Sequence, residues 1–190
     1  DMYMLEEACA FLKRLEKNGY ADICISVNQS RILFYKADYL NEIQRIIHKY
    51  HCDPSRIILE VTEGITMDNL DEMKVLVREL HKMGFAVSMD DFGSGYSSLN
   101  ILKELDIDEL KLDRVFLSDT AEKEKRDIIM KNIITLAREL QISTVTEGVE
   151  DAAQAEFIHS IHCDIGQGYY FAKPMPEDAF ELFIAGKTEE

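Results

Sequence analysis

The stretch AVSMDDFGSGYSSLNILKELDIDELKLD, residues 86–113, holds two short apolar runs, 86–89 and 109–112, and each meets charged residues at its carboxyl end. Asp90 and Asp91 follow the first run, while Lys111 lies in the second and Asp113 follows it. Runs of this length bounded by turn-forming residues are expected strands. Four more occur at 22–27, 57–61, 143–146 and 165–171, so six strands are expected, recurring about every 20 to 35 residues. Between them lie segments with helical spacing, such as Leu70, Met73, Val77, Leu80 and Ile129, Ile133, Leu136, Leu140. Strands that alternate with helices imply right-handed crossovers and a mainly parallel sheet.

Two architectures satisfy that pattern. A doubly wound open sheet usually carries a glycine-rich turn after its first strand, but here the first run ends in Val27-Asn28-Gln29-Ser30. A (β/α)8 TIM-like barrel instead places functional polar residues at the carboxyl ends of many strands. Asn28 ends the first run, Glu60 and Glu63 the second, Asp90 and Asp91 the third, Lys111 and Asp113 the fourth, and Glu147 the fifth, while Gln167 lies within the sixth. Any one of these could be a turn former or a helix cap. Six in register favour the barrel, in a modified α/β form. A barrel needs eight strands, whereas six are visible and the chain opens in an amphipathic segment, 3–17. Two N-terminal strands are therefore expected to lie outside residues 1–190, leaving an incomplete domain with open sheet edges.

Composition narrows the functional classes. Apolar residues make up 46% of the chain, enough for a substantial core, and no linker or low-complexity stretch divides it, so one domain is expected. No apolar run approaches the roughly 18 residues that span a bilayer, and residues 1–7 are too acidic for a signal sequence. Cys9, Cys24, Cys52 and Cys163 show no C-x-x-C spacing and read as reduced, mostly buried thiols, which favours the cytoplasm. His48, His51, His159 and His162 close expected helices, where imidazoles near the last carbonyls are ordinary. The net charge of -15 argues against a nucleic-acid polymer as partner. It does not exclude a small phosphate ester, because carboxylates that hold divalent cations reverse the local sign.

Asp90 and Asp91 give that chemistry a place. Adjacent carboxylates at a strand end point to different sides, so one can bridge two cations while its neighbour reaches only the second. Asn28 and Glu60 add hard oxygen donors suited to Mg2+ or Mn2+. The bland reading of the pair is a capped turn with Asp91 as a helix N-cap. Gly93 and Gly95 are equally open between a tight turn and a mobile gating loop over Phe92, Gly93, Ser94, Gly95 and Tyr96. Lys111, inside an apolar run, points inward or into a strand-end cleft. There it orients water or neutralises a phosphate oxygen, or else forms an internal ion pair with Asp113 or Glu147. Glu147 precedes Gly148, which allows close approach of backbone or ligand; capping of the next helix suits Glu150 better.

The segments Asn28-Gln-Ser30, Leu59-Glu-Val-Thr-Glu63, 90–99 (DDFGSGYSSL), Leu110-Lys-Leu-Asp113, Thr146-Glu-Gly-Val-Glu150 and 166–174 (GQGYYFAKP) resemble, in order and spacing, the successive motifs of EAL domains. The resemblance implies a modified β/α barrel that linearises cyclic di-GMP to pGpG with two Mg2+ or Mn2+ ions. It implies Asn28, Glu60 and Asp90 around the first ion, with Asp90 bridging to a second that Asp91 and Glu147 also hold. It further implies that Lys111 contacts the attacking water, that Gln167 orients it, that Glu63 anchors the 92–99 loop, and that Asp113 and Glu150 are supports. A homodimer and an upstream sensory or GGDEF-type domain, through which a parent protein could be membrane-tethered, are the implied partners. The family's Glu-x-Leu motif and following arginine are absent from residues 1–190 and are expected upstream. Two other readings compete: a non-catalytic cyclic di-GMP receptor or protein-interaction module of the same fold, and an unrelated metal-dependent barrel such as an aldolase or enolase-like enzyme.

Overall fold

Six of the apolar runs assemble into one parallel sheet in the computed structural model, which describes residues 1–30, 36–62, 70–93, 99–118 and 123–186. The strands are β1 (Ile25–Asn28), β2 (Ile57–Thr62), β3 (Ala86–Phe92), β4 (Glu109–Leu112), β5 (Ser143–Thr146) and β6 (Ile165–Gly166). Their spatial order is their chain order, and every pairing is parallel. A doubly wound sheet reverses direction at a switch point, whereas this one steps the same way at each crossover, as a barrel does. The result is a curled, partial TIM barrel. Among the described residues, β1 pairs only with β2 and β6 only with β5.

Alternation along the central strands separates two faces. Ile57, Leu59, Val61, Val87, Met89, Leu110 and Leu112 are buried on one side, and Glu60, Ser88, Asp90, Glu109 and Lys111 are buried on the other. The apolar set meets the helices and forms the core. The polar set lines the concave interior, the face from which a barrel presents chemistry.

Seven α-helices are described: α1 (Met2–Lys17), α2 (Tyr39–Tyr50), α3 (Leu70–Lys82), α4 (Leu99–Glu104), α5 (Lys123–Glu139), α6 (Ala152–Ser160) and α7 (Glu177–Ile184). The stripe Leu5, Ala8, Cys9, Leu12 of α1 packs into the same core as Tyr39, Ile43 and Ile46 of α2. Helix α3 buries Met73, Val77 and Leu80 as its spacing implies. Helix α5 corrects the sequence reading. Its core face is Met130, Ile134 and Ala137; Ile129 and Leu140, expected inside, are 52% and 45% exposed, and Ile133 and Leu136 pack at the margin. Apolar residues cover more than half of this helix's circumference, so two stripes fit a helical period, and the small Ala137 selects the one that lets the helix approach the sheet closely.

Strand limits also differ from expectation, by one residue at the ends of β1 (Asn28) and β2 (Thr62) and by more elsewhere. Strand β1 begins at Ile25 rather than at 22. Strand β3 continues through Phe92, because a register shift between Met89 and Phe92, with Asp91 at φ 59°, forms a bulge that keeps the strand paired. Strand β6 stops after two residues. A side chain at Gly168 would collide with the Val149 backbone, and residues 167–170 bond to Thr146 and Val149 in place of extended pairing.

His51 caps α2 in the left-handed region and His159 lies in the last turn of α6, where the sequence put them. Of the thiols, Cys9 and Cys52 are buried, Cys163 is half-buried and Cys24 is exposed, so burial is less general than expected. Among the described residues no helix is long and apolar enough to cross a membrane.

Candidate active site

Lys111 organises the concave face. All four residues of β4 are buried, and alternation turns Glu109 and Lys111 away from the core occupied by Leu110 and Leu112. The Lys111 ammonium, with the residue 5% exposed, lies 2.9 Å from Glu60 Oε1 on β2, 3.2 Å from Asp90 Oδ1 on β3 and 2.7 Å from Glu147 Oε1 just past β5. Three carboxylates that are 30 and 57 residues apart along the chain thereby converge on one nitrogen. Burial alone would push the Lys111 ammonium down, but hydrogen bonds to Glu147 and Glu60 outweigh it and hold the group above its ordinary value.

The bulge in β3 re-aims the neighbouring aspartates. Asp90 Oδ1 accepts from the Asp91 backbone N–H at 3.0 Å, and the positive φ of Asp91 turns its carboxylate from the strand's alternating pattern. Ligand atoms of Asp90, Asp91 and Glu147 all lie within 4.8 Å of one another. Oxygens bound to one divalent cation at about 2.0–2.5 Å are at most about 4–5 Å apart, so this spacing fits a hard cation. Burial, then the neighbouring Asp90 and Asp113, raise the Asp91 carboxyl above its usual range. Counting Glu60, Asp90, Asp91 and Glu147 against Lys111 gives a formal charge of 1 − 4 = −3. Such an excess in a partly buried site favours cations.

Asn28 is in register with Glu60, which places it at the same rim, and it borders a cavity of about 280 Å³ beside α1. Gln29, which sequence reasoning passed over, is buried and accepts a hydrogen bond from Tyr39 at 3.0 Å, fixing the end of β1. Gln167 follows β6, bonds through its backbone to Thr146 and Val149, and borders a cavity of about 540 Å³ shared with Ile25 and Ser26. Its exposed side chain has no bond to the Lys111 cluster among the described contacts. The central strands thus bring Glu60, Asp90, Asp91, Lys111 and Glu147 together, while Asn28 and Gln167 stand at the two sheet edges.

The bland alternatives separate case by case. Asp91 belongs to β3, eight residues before α4, and is not its N-cap. Lys111 does form an internal ion pair with Glu147, and Asp113 instead accepts from Val115 N–H to cap a 3-10 turn. The N-cap of α6 is Asp151, not Glu150, whose backbone N–H donates to Gln154. Gly148, at φ 71°, could not carry a side chain without striking Arg114, so glycine is what lets Glu147 reach the cluster. Phe92, assigned to a mobile loop, is the buried last residue of β3, and Gly93 packs under the Phe116 ring. Glu63, Ser94, Gly95 and Tyr96 lie outside the described residues. A second overlooked residue is Glu109, buried one layer beneath Lys111; its i, i+2 spacing from Lys111 was the available signal.

A parallel β/α barrel that gathers a lysine and hard-cation donors at the carboxyl ends of its strands defines a recognisable class of protein. The chain belongs to the EAL domain family, which matches residues 1–174. It is 38% identical over 183 residues to the bifunctional diguanylate cyclase/cyclic di-GMP phosphodiesterase MucR of Pseudomonas aeruginosa, covering 96% of this chain and 27% of MucR. It is 35% identical over 184 residues to the cyclic di-GMP phosphodiesterase NbdA of the same organism, covering 97% of this chain and 24% of NbdA. A solved MucR phosphodiesterase structure in complex with c-di-GMP superposes with a TM-score of 0.88 at 37% identity, over 94% of this chain and 72% of that one. The chain spans about a quarter of the length of these curated relatives.

Proposed function

We propose that this domain hydrolyses cyclic di-GMP to linear pGpG with two divalent cations, Mg2+ or Mn2+. The observation that carries the reading is the convergence of Glu60, Asp90 and Glu147 on Lys111 beside the Asp90, Asp91 and Glu147 cluster, in a family whose members MucR and NbdA are named as cyclic di-GMP phosphodiesterases. Asn28, Glu60 and Asp90 would hold one cation, and Asp90, Asp91 and Glu147 the other. When bound, the cations supply Lewis-acid charge and lower the pKa of coordinated water. Two dications would move the formal charge of the cluster from −3 to −3 + 4 = +1, a match for the single negative charge of one phosphodiester.

The chain's own groups divide the remaining work. Lys111 donates to the attacking water, and its raised pKa keeps it a donor at neutral pH. Gln167 orients that water, Asp113 and Glu150 buttress the rim, and Glu63 anchors the 92–99 loop, including Ser94, Gly95 and Tyr96. Two further strands from outside residues 1–190 would pair with the edges that β1 and β6 leave unpaired among the described residues. A further sensory or GGDEF-type domain accords with the length of the relatives, and a cytoplasmic homodimer completes the proposal.

The test is chromatography of cyclic di-GMP incubated with the full-length protein and Mn2+. Linear pGpG should accumulate and a chelator should stop it. No turnover above the chelated blank would overturn the enzymatic reading, and binding without product would favour the receptor.

A further inference from the structure

The carboxylates of the site pose an electrostatic problem that its central lysine answers. Glu60, Asp90 and Glu147 come from different strand ends, and their side chains are only 6%, 12% and 22% exposed, so solvent screens them incompletely. Carboxylates so placed repel, and without a counter-charge their strand ends would be driven apart. The Lys111 ammonium ion-pairs with all three, donating hydrogen bonds to Glu147 and Glu60 and facing Asp90 Oδ1 at 3.2 Å. Among the described residues it is the only cation within ion-pair distance of any of the three.

Two of those oxygen-bearing groups, Asp90 and Glu147, also belong to the set whose spacing fits a divalent cation. The ammonium and an incoming cation therefore draw on the same carboxylates. We infer that Lys111 is a placeholder cation: in the ion-free protein it keeps Glu60, Asp90 and Glu147 converged, and it competes with the first divalent cation for their oxygens. The inference rests on the metal-binding reading above and adds a role that precedes any contact with water or substrate. The lysine preserves the site's shape and weakens its affinity, so ions bind to a preformed but contested site.

Calorimetric titration of the chelator-treated full-length protein with Mn2+ and thermal melts with and without it, on wild type, Lys111→Met and Lys111→Gln, test this. The variants should melt lower than wild type without ions, regain more of that loss on Mn2+ addition than wild type gains, and bind the first Mn2+ at least about tenfold tighter. Unchanged affinity and an ion-independent melting loss would overturn the inference and leave Lys111 a water-contacting residue alone. If neither variant folds, 15N-lysine NMR of wild type decides: the slowly exchanging Lys111 ammonium signal should shift or broaden as diamagnetic Mg2+ saturates the site. A signal indifferent to saturation would overturn the inference. Failure of wild type to bind either ion would sink the metal reading itself, an outcome distinct from binding without a Lys111 response.

Discussion

The central strands β2 to β4 carry Glu60, Asp90, Asp91 and Lys111, the edge strands β1 and β6 only Asn28 and, just past β6, Gln167, and the two groups stand on unequal scaffolds. In the centre both faces are buried, and Lys111 ties Glu60 and Asp90 together across the concave side. At the edges β1 alternates between buried and exposed residues, β6 is two residues long, and Ile165 is 49% exposed. Glu60, Asp90 and Lys111 are therefore preorganised, while Asn28 and Gln167 wait on whatever covers the open edges. Preorganisation here comes from burial on two sides, not from the identity of the residue at the strand end.

The largest expected effect tests that contrast through activity. Asp90→Asn removes a carboxylate that serves Lys111 and both proposed ions, and turnover of cyclic di-GMP by the full-length protein should fall at least about a thousandfold. Gln167→Ala, at the edge, should cost about ten- to a hundredfold in the same assay. Equal losses would show that the edge is as tightly built as the centre once the protein is whole.

Stability offers the next contrast. Leu110 is fully buried between β4 and the helices, so Leu110→Ala should cost about 3 kcal/mol in chemical denaturation. Ile165→Ala, on the half-exposed edge, should cost under about 1 kcal/mol. A large loss at Ile165 would mean that its surface is covered in solution.

The same contrast marks what the sequence could and could not disclose. The limits of β4 and β5 coincide with the apolar runs because buried parallel strands admit few polar interruptions. The convergence of Glu60, Asp90 and Lys111 was implied by their common position at strand ends. The early end of β6 was not, because it depends on the approach of Val149 to Gly168, a contact between loops. Nor was the bulge at Asp91, since an aspartate in the left-handed region has no sequence mark beyond being tolerated there. The misread face of α5 shows the limit of periodicity: with Ile128, Ile129, Met130, Ile133 and Ile134 in one helix, spacing identifies a helix but not the side it buries.

Glu109 carries the smallest and sharpest prediction, because it asks whether the centre's order has a cost. It is buried on the concave face beneath Lys111, and burial, with Glu60 adding to it, raises its carboxyl above the usual range, although Ser88, in register with it, and Lys111 act the other way. An acid whose pKa is higher in the folded state binds its proton more tightly there. Its favourable contribution is complete below the unfolded value, near pH 4.3, and is lost as pH rises through the folded value. Glu109→Gln keeps the shape without the charge. Its stability relative to wild type should rise as pH climbs from about 4 and level off once Glu109 is ionised, leaving the variant the more stable at pH 7 in denaturant titration. A variant less stable than wild type at pH 7 would mean that the Glu109 charge is needed to balance Lys111, and that the ion network extends one layer deeper than the three carboxylates bound to its ammonium.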